Sequence, residues 1–209
     1  ELRETVPAGF GNFPVFGESP VPVPDGFEEI YPSQFGRFVP NATQRPSFPT
    51  AGAIVAANWR EARGLDPDAV VSIDAVALGY LIRAIGEVPL STGDVLTADT
   101  VVPILLNEVL QRYDSGDLLA DNLQQDLVYG EAVAATFERL STGAFDMPTL
   151  LASVIQGFTE ERLSLWSPDP AVTAVLEGYD LANDIPRTTA DVDGFGIYGL
   201  NGVGGEPVK

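Results

Sequence analysis

The stretch from Arg45 to Tyr113 constrains this chain most, because helix, strand and helix follow one another there and each ends on its own stop signal. Thr50 supplies an N-cap for a helix running to about Arg63, with Ile54, Val55, Ala57 and Trp59 on its faces, and Gly64 ends it. After the turn Leu65-Asp66-Pro67-Asp68, the β-branched run 69–73 reads as a short strand of the buried kind. Asp74 caps a second helix through Ile85, closed by Gly86. Val88 to Leu90 reads as an edge strand. Thr97 then starts a third helix to Arg112, which tolerates Pro103 because that residue lies near the first turns.

Downstream the periodicity predicts a fourth helix over about 118–140, weakened at Gly130, and a fifth from Met147 or Pro148 to Phe158. A strand over 162–166 follows, then a helix from Pro170 to Glu177 closed by Gly178. Two firm strands against six helices predict a helix-rich, three-layer α/β domain with a small sheet, whose N-terminal strand or strands lie outside this chain. The first fifty residues carry nine of the 17 prolines, which remove ladder donors and fix φ, so regular structure is not expected there. The same region holds Phe10, Phe13, Phe16, Phe27, Tyr31, Phe35, Phe38 and Phe48, too many large apolar side chains for a disordered linker. We therefore expect residues 1–48 to form an ordered loop layer on an α/β core at 49–185. Composition turns Pro-, Thr-, Asp- and Gly-rich beyond Asp184, which places a boundary there, and the family resemblance given below implies that 186–209 is the start of a following Gly-rich β segment.

At 209 residues and 45% hydrophobic content the chain can bury a core without staples. Its formal charge of −19, from 30 acidic and 11 basic residues, repels phosphate backbones and anionic lipid surfaces, and no Lys/Arg run reverses that locally. Nucleic acid is excluded as a partner, and membrane contact by this segment is not expected. Histidine and cysteine are both absent, which rules out a thiol nucleophile, a disulfide, a zinc–thiolate site and a Ser-His-Asp triad within the chain. Acid–base work would fall on carboxylates, Tyr or water, and any metal would need oxygen ligands, as Mg²⁺ or Ca²⁺ does. The only lysine, Lys209, is the last residue, the pattern a tryptic cut leaves. With no Met, signal peptide or membrane span at Glu1, targeting information is expected to lie outside this piece.

Individual motifs resolve mostly into structure. Residues 194–199 spell the dinucleotide fingerprint, but the glycine-rich 200–205 that follows cannot open the helix such a site needs, so no cofactor is assigned. Asp191-Val192-Asp193-Gly194 lacks the later acidic positions of a calcium loop and reads as a turn. Asp114, Asp117, Asp121 and Asp126 cluster at a helix start, where they favour the macrodipole. Glu160-Glu161 beside Arg162 reads as a solvated loop pair. Trp59 and Trp166 sit in apolar patterns and read as core rather than as sugar platforms. Asp74, at a strand's C-terminal end, reads first as a helix cap and second as a catalytic carboxylate. No catalytic residue and no metal ligand is assigned.

Ser47-Phe48-Pro49-Thr50-Ala51, Trp59, the run 68–74, Ala77-Leu78, Leu81-Ile82 and Gly86 together resemble the bacterial family called domain of unknown function 4012. Leu96-Thr97-Ala98, Leu105-Leu106, Tyr113, the run 163–167 and Asp169-Pro170 extend the resemblance over roughly residues 10–185. Ser47 departs from a common Asp of the pattern, and Ala75 from a common Pro. The resemblance implies an extracytoplasmic cell-envelope domain, mostly actinobacterial, held by an N-terminal membrane anchor in the full-length protein. More distantly, strand, helix and Gly86 are similar to LytR-CpsA-Psr proteins, which transfer glycopolymers from polyprenyl-pyrophosphate carriers with Mg²⁺.

Two functions stay open. One is a binding or assembly module of the envelope, with a cell-wall glycan or an envelope protein as partner. The other is a divergent glycopolymer phosphotransferase, in which Arg45 and Arg83 would hold phosphates and Asp74 a Mg²⁺ ion. Arg112 is the remaining cation of that set, but no paired arginines stand where the distant family carries them. A plain structural spacer is a third class.

Overall fold

The structure, a computed structural model, describes residues 9, 13–23, 29, 31, 34–185 and 189–191. The glycine-rich 194–199, Asp193, the segment 200–209, Phe10 and Phe27 lie outside the described residues. Contacts divide the chain into two units, one of Glu1–Asn12 with Ser72–Leu163 and one of Phe13–Val71 with Ser164–Lys209.

In the second of these units a 3₁₀ turn, Val39–Gln44, leads into α1, Phe48–Arg63. The helix begins three residues earlier than expected, with Ser47 rather than Thr50 at the N-cap position. Ser47 accepts no capping bond from a backbone N–H of the first turn, and its hydroxyl donates to Asp184 Oδ1 at 2.7 Å; Pro49 in that turn has no N–H to satisfy. Gly64 closes α1 at φ 68°, its N–H reaching Arg60 O. The inward face centres on Ile54, which packs with Phe35, Ala42 and Ala51 and with the flanking Val21, Val23, Tyr31, Phe48 and Val55. The proline- and aromatic-rich region thus supplies a large part of this core. Trp166 lies directly against α1, so close that a Cβ on Gly52 would fall 2.6 Å from its Cβ and Cγ.

Strands β1 (Val70–Ile73) and β4 (Leu163–Trp166) form a two-stranded sheet. The expectation of a buried strand at 69–73 is corrected here, since Val71 is 52% exposed. With one neighbouring strand among the described residues, β1 keeps an open edge, and its two middle residues, Val71 and Ser72, are both exposed. The last helix, α7 (Pro170–Gly178), is capped by Asp169 Oδ1, which accepts from Ala171 N at 2.8 Å.

In the other unit α2 spans Ala75–Ile85, with Asp74 Oδ1 accepting from Ala77 N at 2.7 Å. Gly86, at φ 79°, ends it. Strand β2 (Val88–Pro89) pairs antiparallel with β3 (Val95–Leu96), in register Val88↔Leu96. The following helix consists of α3 (Val101–Pro103), a π turn (Ile104–Glu108) and α4 (Val109–Arg112). Regular helix starts at Val101, and ahead of it Thr97 and Thr100 bond each other's backbone N–H groups, at 2.9 and 3.1 Å, in a capping-box arrangement in which Thr97 O accepts from Val101 N at 3.1 Å. Within the π turn Val109 N reaches back to Ile104 O, and the carbonyl of Leu105 takes the Tyr129 hydroxyl at 3.1 Å. Helix α5 (Leu118–Ser141) runs through Gly130 without a break, and α6 (Met147–Thr159) follows. The core joins Leu78, Ile82 and Ile85 of α2, Val88 and Leu96 of the hairpin, Val101, Ile104 and Val109, and Val128 and Ala132 of α5.

The chain is a helix-rich α/β protein with a small set of strands. Among the described residues no helix is long and apolar enough to cross a membrane.

Candidate functional site

Tyr80 and Arg83 stand three residues apart on α2 and so share a face, as do Gln156 and Glu160, four apart at the end of α6. Glu161, at φ 56°, turns the chain after α6, and Arg162 N bonds Gly157 O at 2.8 Å, which brings the Arg162 side chain back over the same surface. Ser153 of α6 donates to Tyr80 O at 2.5 Å and fixes one helix against the other.

A continuous polar network results. The Tyr80 hydroxyl donates to Glu160 Oε2 at 2.6 Å, and Gln156 Nε2 donates to Glu160 Oε1 at 2.8 Å. Gln156 Oε1 accepts from Arg83 at 2.7 Å, while the Arg83 guanidinium lies 4.6 Å from the Tyr80 ring centroid. Arg162 donates to Glu160 at 3.1 Å and to Asp74 Oδ2 at 2.7 Å. Every group sits within one unit and at its surface.

The electrostatics follow from these bonds. The hydrogen bond to Glu160, then desolvation, raises the Tyr80 pKa above the ordinary phenol value. The same bond, followed by those from Gln156 and Arg162, lowers Glu160. Both shifts lead away from neutrality, so Tyr80 stays a donor and Glu160 a carboxylate, and neither is poised as a general acid or base near pH 7. Arg162 is held more firmly charged by Asp74 first and Glu160 second.

The residues singled out in the sequence fall as follows. Asp74 is the α2 cap, and its second oxygen is taken by Arg162. Its surroundings are therefore an N–H and a guanidinium, and among the described residues no group of three acidic side chains could hold a metal. Arg83 belongs to the network. Arg112 is committed to Asp94 through two bonds of 2.6 and 2.9 Å. Arg45 belongs to the other unit, where it donates to Thr50 Oγ1 at 2.9 Å. Trp59 is half-buried, against Phe13 on one side and Arg63 on the other, and Trp166 is half-buried against Gly52. Asp117 caps α5, while Asp121 is buried and accepts from Ser115 and Gly116.

Two groupings escape a reading of the sequence. Glu160-Glu161 beside Arg162 reads as a solvated loop pair, yet Glu160 and Arg162 tie α6 to Asp74 and Tyr80. Ser47 and Asp184 meet across 137 positions, with Thr50 Oγ1 3.1 Å from Ser47 Oγ. The helical spacings of Tyr80/Arg83 and Gln156/Glu160 were the legible part of the signal; nothing local says that the two helices pair.

The family model described as Protein of unknown function (DUF4012) matches residues 4–110. The chain belongs to this family. Among curated proteins and solved structures, none matches it. The DUF4012 match takes in α1, β1, α2 and the hairpin, and so contains Ser47, Asp74, Tyr80 and Arg83. Gln156, Glu160, Arg162 and Asp184, which complete the two groupings, lie beyond the DUF4012 match.

Proposed function

We propose that the chain is an extracytoplasmic cell-envelope domain acting as a binding or assembly module, borne by a full-length protein that is membrane-anchored. The observation that carries this reading is the outer face of α6. This helix of Met147–Thr159 contains no charged residue, and Met147, Leu151 and Ile155, four apart in turn, are each more than half exposed. Single exposed apolar side chains are ordinary, but a row of three on an uncharged face is an unfilled contact surface. The polar network beside it, with its acid and its phenol both shifted away from neutrality, offers contacts rather than proton transfer.

The partner on this reading is a cell-wall glycan or an envelope protein. The test is co-sedimentation with purified Gram-positive cell walls, before and after their glycopolymers are stripped. The wild type is expected in the pellet, and Leu151→Gln/Ile155→Gln is expected to shift it to the supernatant with its melting temperature unchanged. A wild type that stays in the supernatant with every wall preparation overturns the reading.

One observation favours a second reading, a divergent phosphotransferase on polyprenyl-pyrophosphate-linked substrates: Arg83 and Arg162, far apart in sequence, share one network. That reading expects polyprenyl pyrophosphate, alone or with Mg²⁺, to raise the melting temperature and Arg83→Ala to abolish the rise. A shift retained in Arg83→Ala removes it.

A further inference from the structure

We infer that the core beneath the proline- and aromatic-rich layer binds one internal water molecule, held by Asn58 of α1 and linking that helix to the loop at Gly36. Asn58 is fully buried, one helical turn along from Ile54, the centre of an apolar cluster with Phe35, Ala42 and Ala51. Its amide nitrogen is well used. Nδ2 donates to Ile54 O at 2.7 Å and to Gly36 O at 3.4 Å. Its Oδ1 is enclosed and has no hydrogen-bond partner. Rotating the amide by half a turn does not relieve this. Oδ1 would then face the two carbonyls, acceptor against acceptor, and Nδ2 would lose both of its partners. A buried acceptor left without a donor costs more than a typical hydrogen bond contributes, and nearly all such groups in folded proteins are met by protein or by ordered water.

The second partner comes from the residue whose carbonyl Asn58 already holds. Gly36 is buried at φ 77°, and its N–H makes no hydrogen bond among the described residues. An unmet acceptor and an unmet donor call for a group that donates and accepts at once, which neither a cation nor an anion does. Full burial restricts that group to the smallest of its kind, and water satisfies both conditions. Gln44 Oε1 is a second enclosed oxygen without a donor, but Gln44 is only partly buried and its long side chain can turn toward solvent. Asn58, held by two carbonyls, cannot. The bridge has a structural consequence. Apolar packing of Phe35 on α1 is non-directional, whereas the Asn58 amide and its water fix the loop at a defined height along the helix.

The test is a crystal structure of the whole chain, at a resolution that shows ordered water, together with water–amide cross-relaxation by NMR in solution. One enclosed water is expected about 2.8 Å from Asn58 Oδ1 and within hydrogen-bonding reach of Gly36 N. Cross-peaks from a long-lived water to the Gly36 N–H and the Asn58 amide protons are expected in solution. Asn58→Leu is expected to lose the Gly36 cross-peak. A protein donor on Oδ1, an enclosed Oδ1 with no water density, or an amide turned the other way overturns the inference. Cross-peaks whose sign reports rapid exchange with bulk solvent overturn it as well, as does a Gly36 cross-peak that survives Asn58→Leu and so belongs to water held elsewhere. Should the leucine variant not fold, the two wild-type measurements decide by themselves.

Discussion

Glu160 gathers three donors, from Tyr80, Gln156 and Arg162, and its effects are measurable one residue at a time. Its carboxyl is held below the ordinary value mainly by the Tyr80 hydroxyl, so the stability it contributes is present above the unfolded-state pKa and lost as pH falls through the folded one. Glu160→Gln removes the acceptor charge that raises Tyr80, and spectrophotometric titration of tyrosinate is expected to show one tyrosine returning toward its ordinary pKa. Asp94 supports a sharper test. The two bonds from Arg112, then the Thr92 hydroxyl, lower it from 3.8 to about 2. Asp94→Asn is therefore expected to melt below the wild type at pH 6, and the difference should close as pH falls from about 4 toward about 2, where the wild-type carboxylate is protonated. Asp74 separates two roles that coincide at one side chain: Asp74→Asn keeps a capping oxygen and loses the Arg162 pair, while Asp74→Ala loses both. The alanine variant is expected to cost about 1 kcal/mol in chemical denaturation and the asparagine variant less, because the ion pair is exposed.

At the scale of elements, the start and stop residues explain why so much could be read from the chain. Asp74 with Gly86, Asp117, and Asp169 are local signals, and α2, α5 and α7 begin or end where they say. Thr97 is a local signal too, since its hydroxyl and carbonyl accept from Thr100 N and Val101 N ahead of the regular helix, whereas Thr50 misleads because Ser47, bonded to a residue 137 positions away, stands at the N-cap. Strand β3 is two residues long and exists only as the partner of β2, so no periodicity announces it. The contact between α2 and α6, on which the polar network depends, is invisible for the same reason: it is fixed by Ser153 and Tyr80, ordinary residues whose meeting is tertiary. Two glycines mark such meetings. A Cβ on Gly157 would fall 2.6 Å from Leu163 Cδ1 and one on Gly52 would fall 2.6 Å from Trp166 Cβ. Gly157→Ala and Gly52→Ala are each expected to destabilise by about 1–3 kcal/mol, despite alanine's better helix propensity. Urea denaturation measures both, and a neutral or stabilised variant would show that the neighbour yields.

At the scale of the whole molecule, a formal charge of −19 on 209 residues repels itself in the compact state. Raising salt from about 0.01 to about 0.5 M shortens the screening length several-fold and is expected to raise the melting temperature by a few degrees, in calorimetry on the wild type. The division of the chain carries a consequence for the order of its birth. One unit draws on Phe13–Val71 and on residues from Ser164 onward, with the whole of Ser72–Leu163 in between. Its α1 N-terminus is completed by Asp184 and by Asn183 O, which accepts from Phe48 N at 3.2 Å. On a ribosome adding about 5–20 residues per second, the start of α1 and Gly52 must therefore wait roughly 5–30 s for Trp166, Asn183 and Asp184. During that interval the central unit can already close, and the nascent chain carries a half-built neighbour whose aromatic side chains a chaperone would find first.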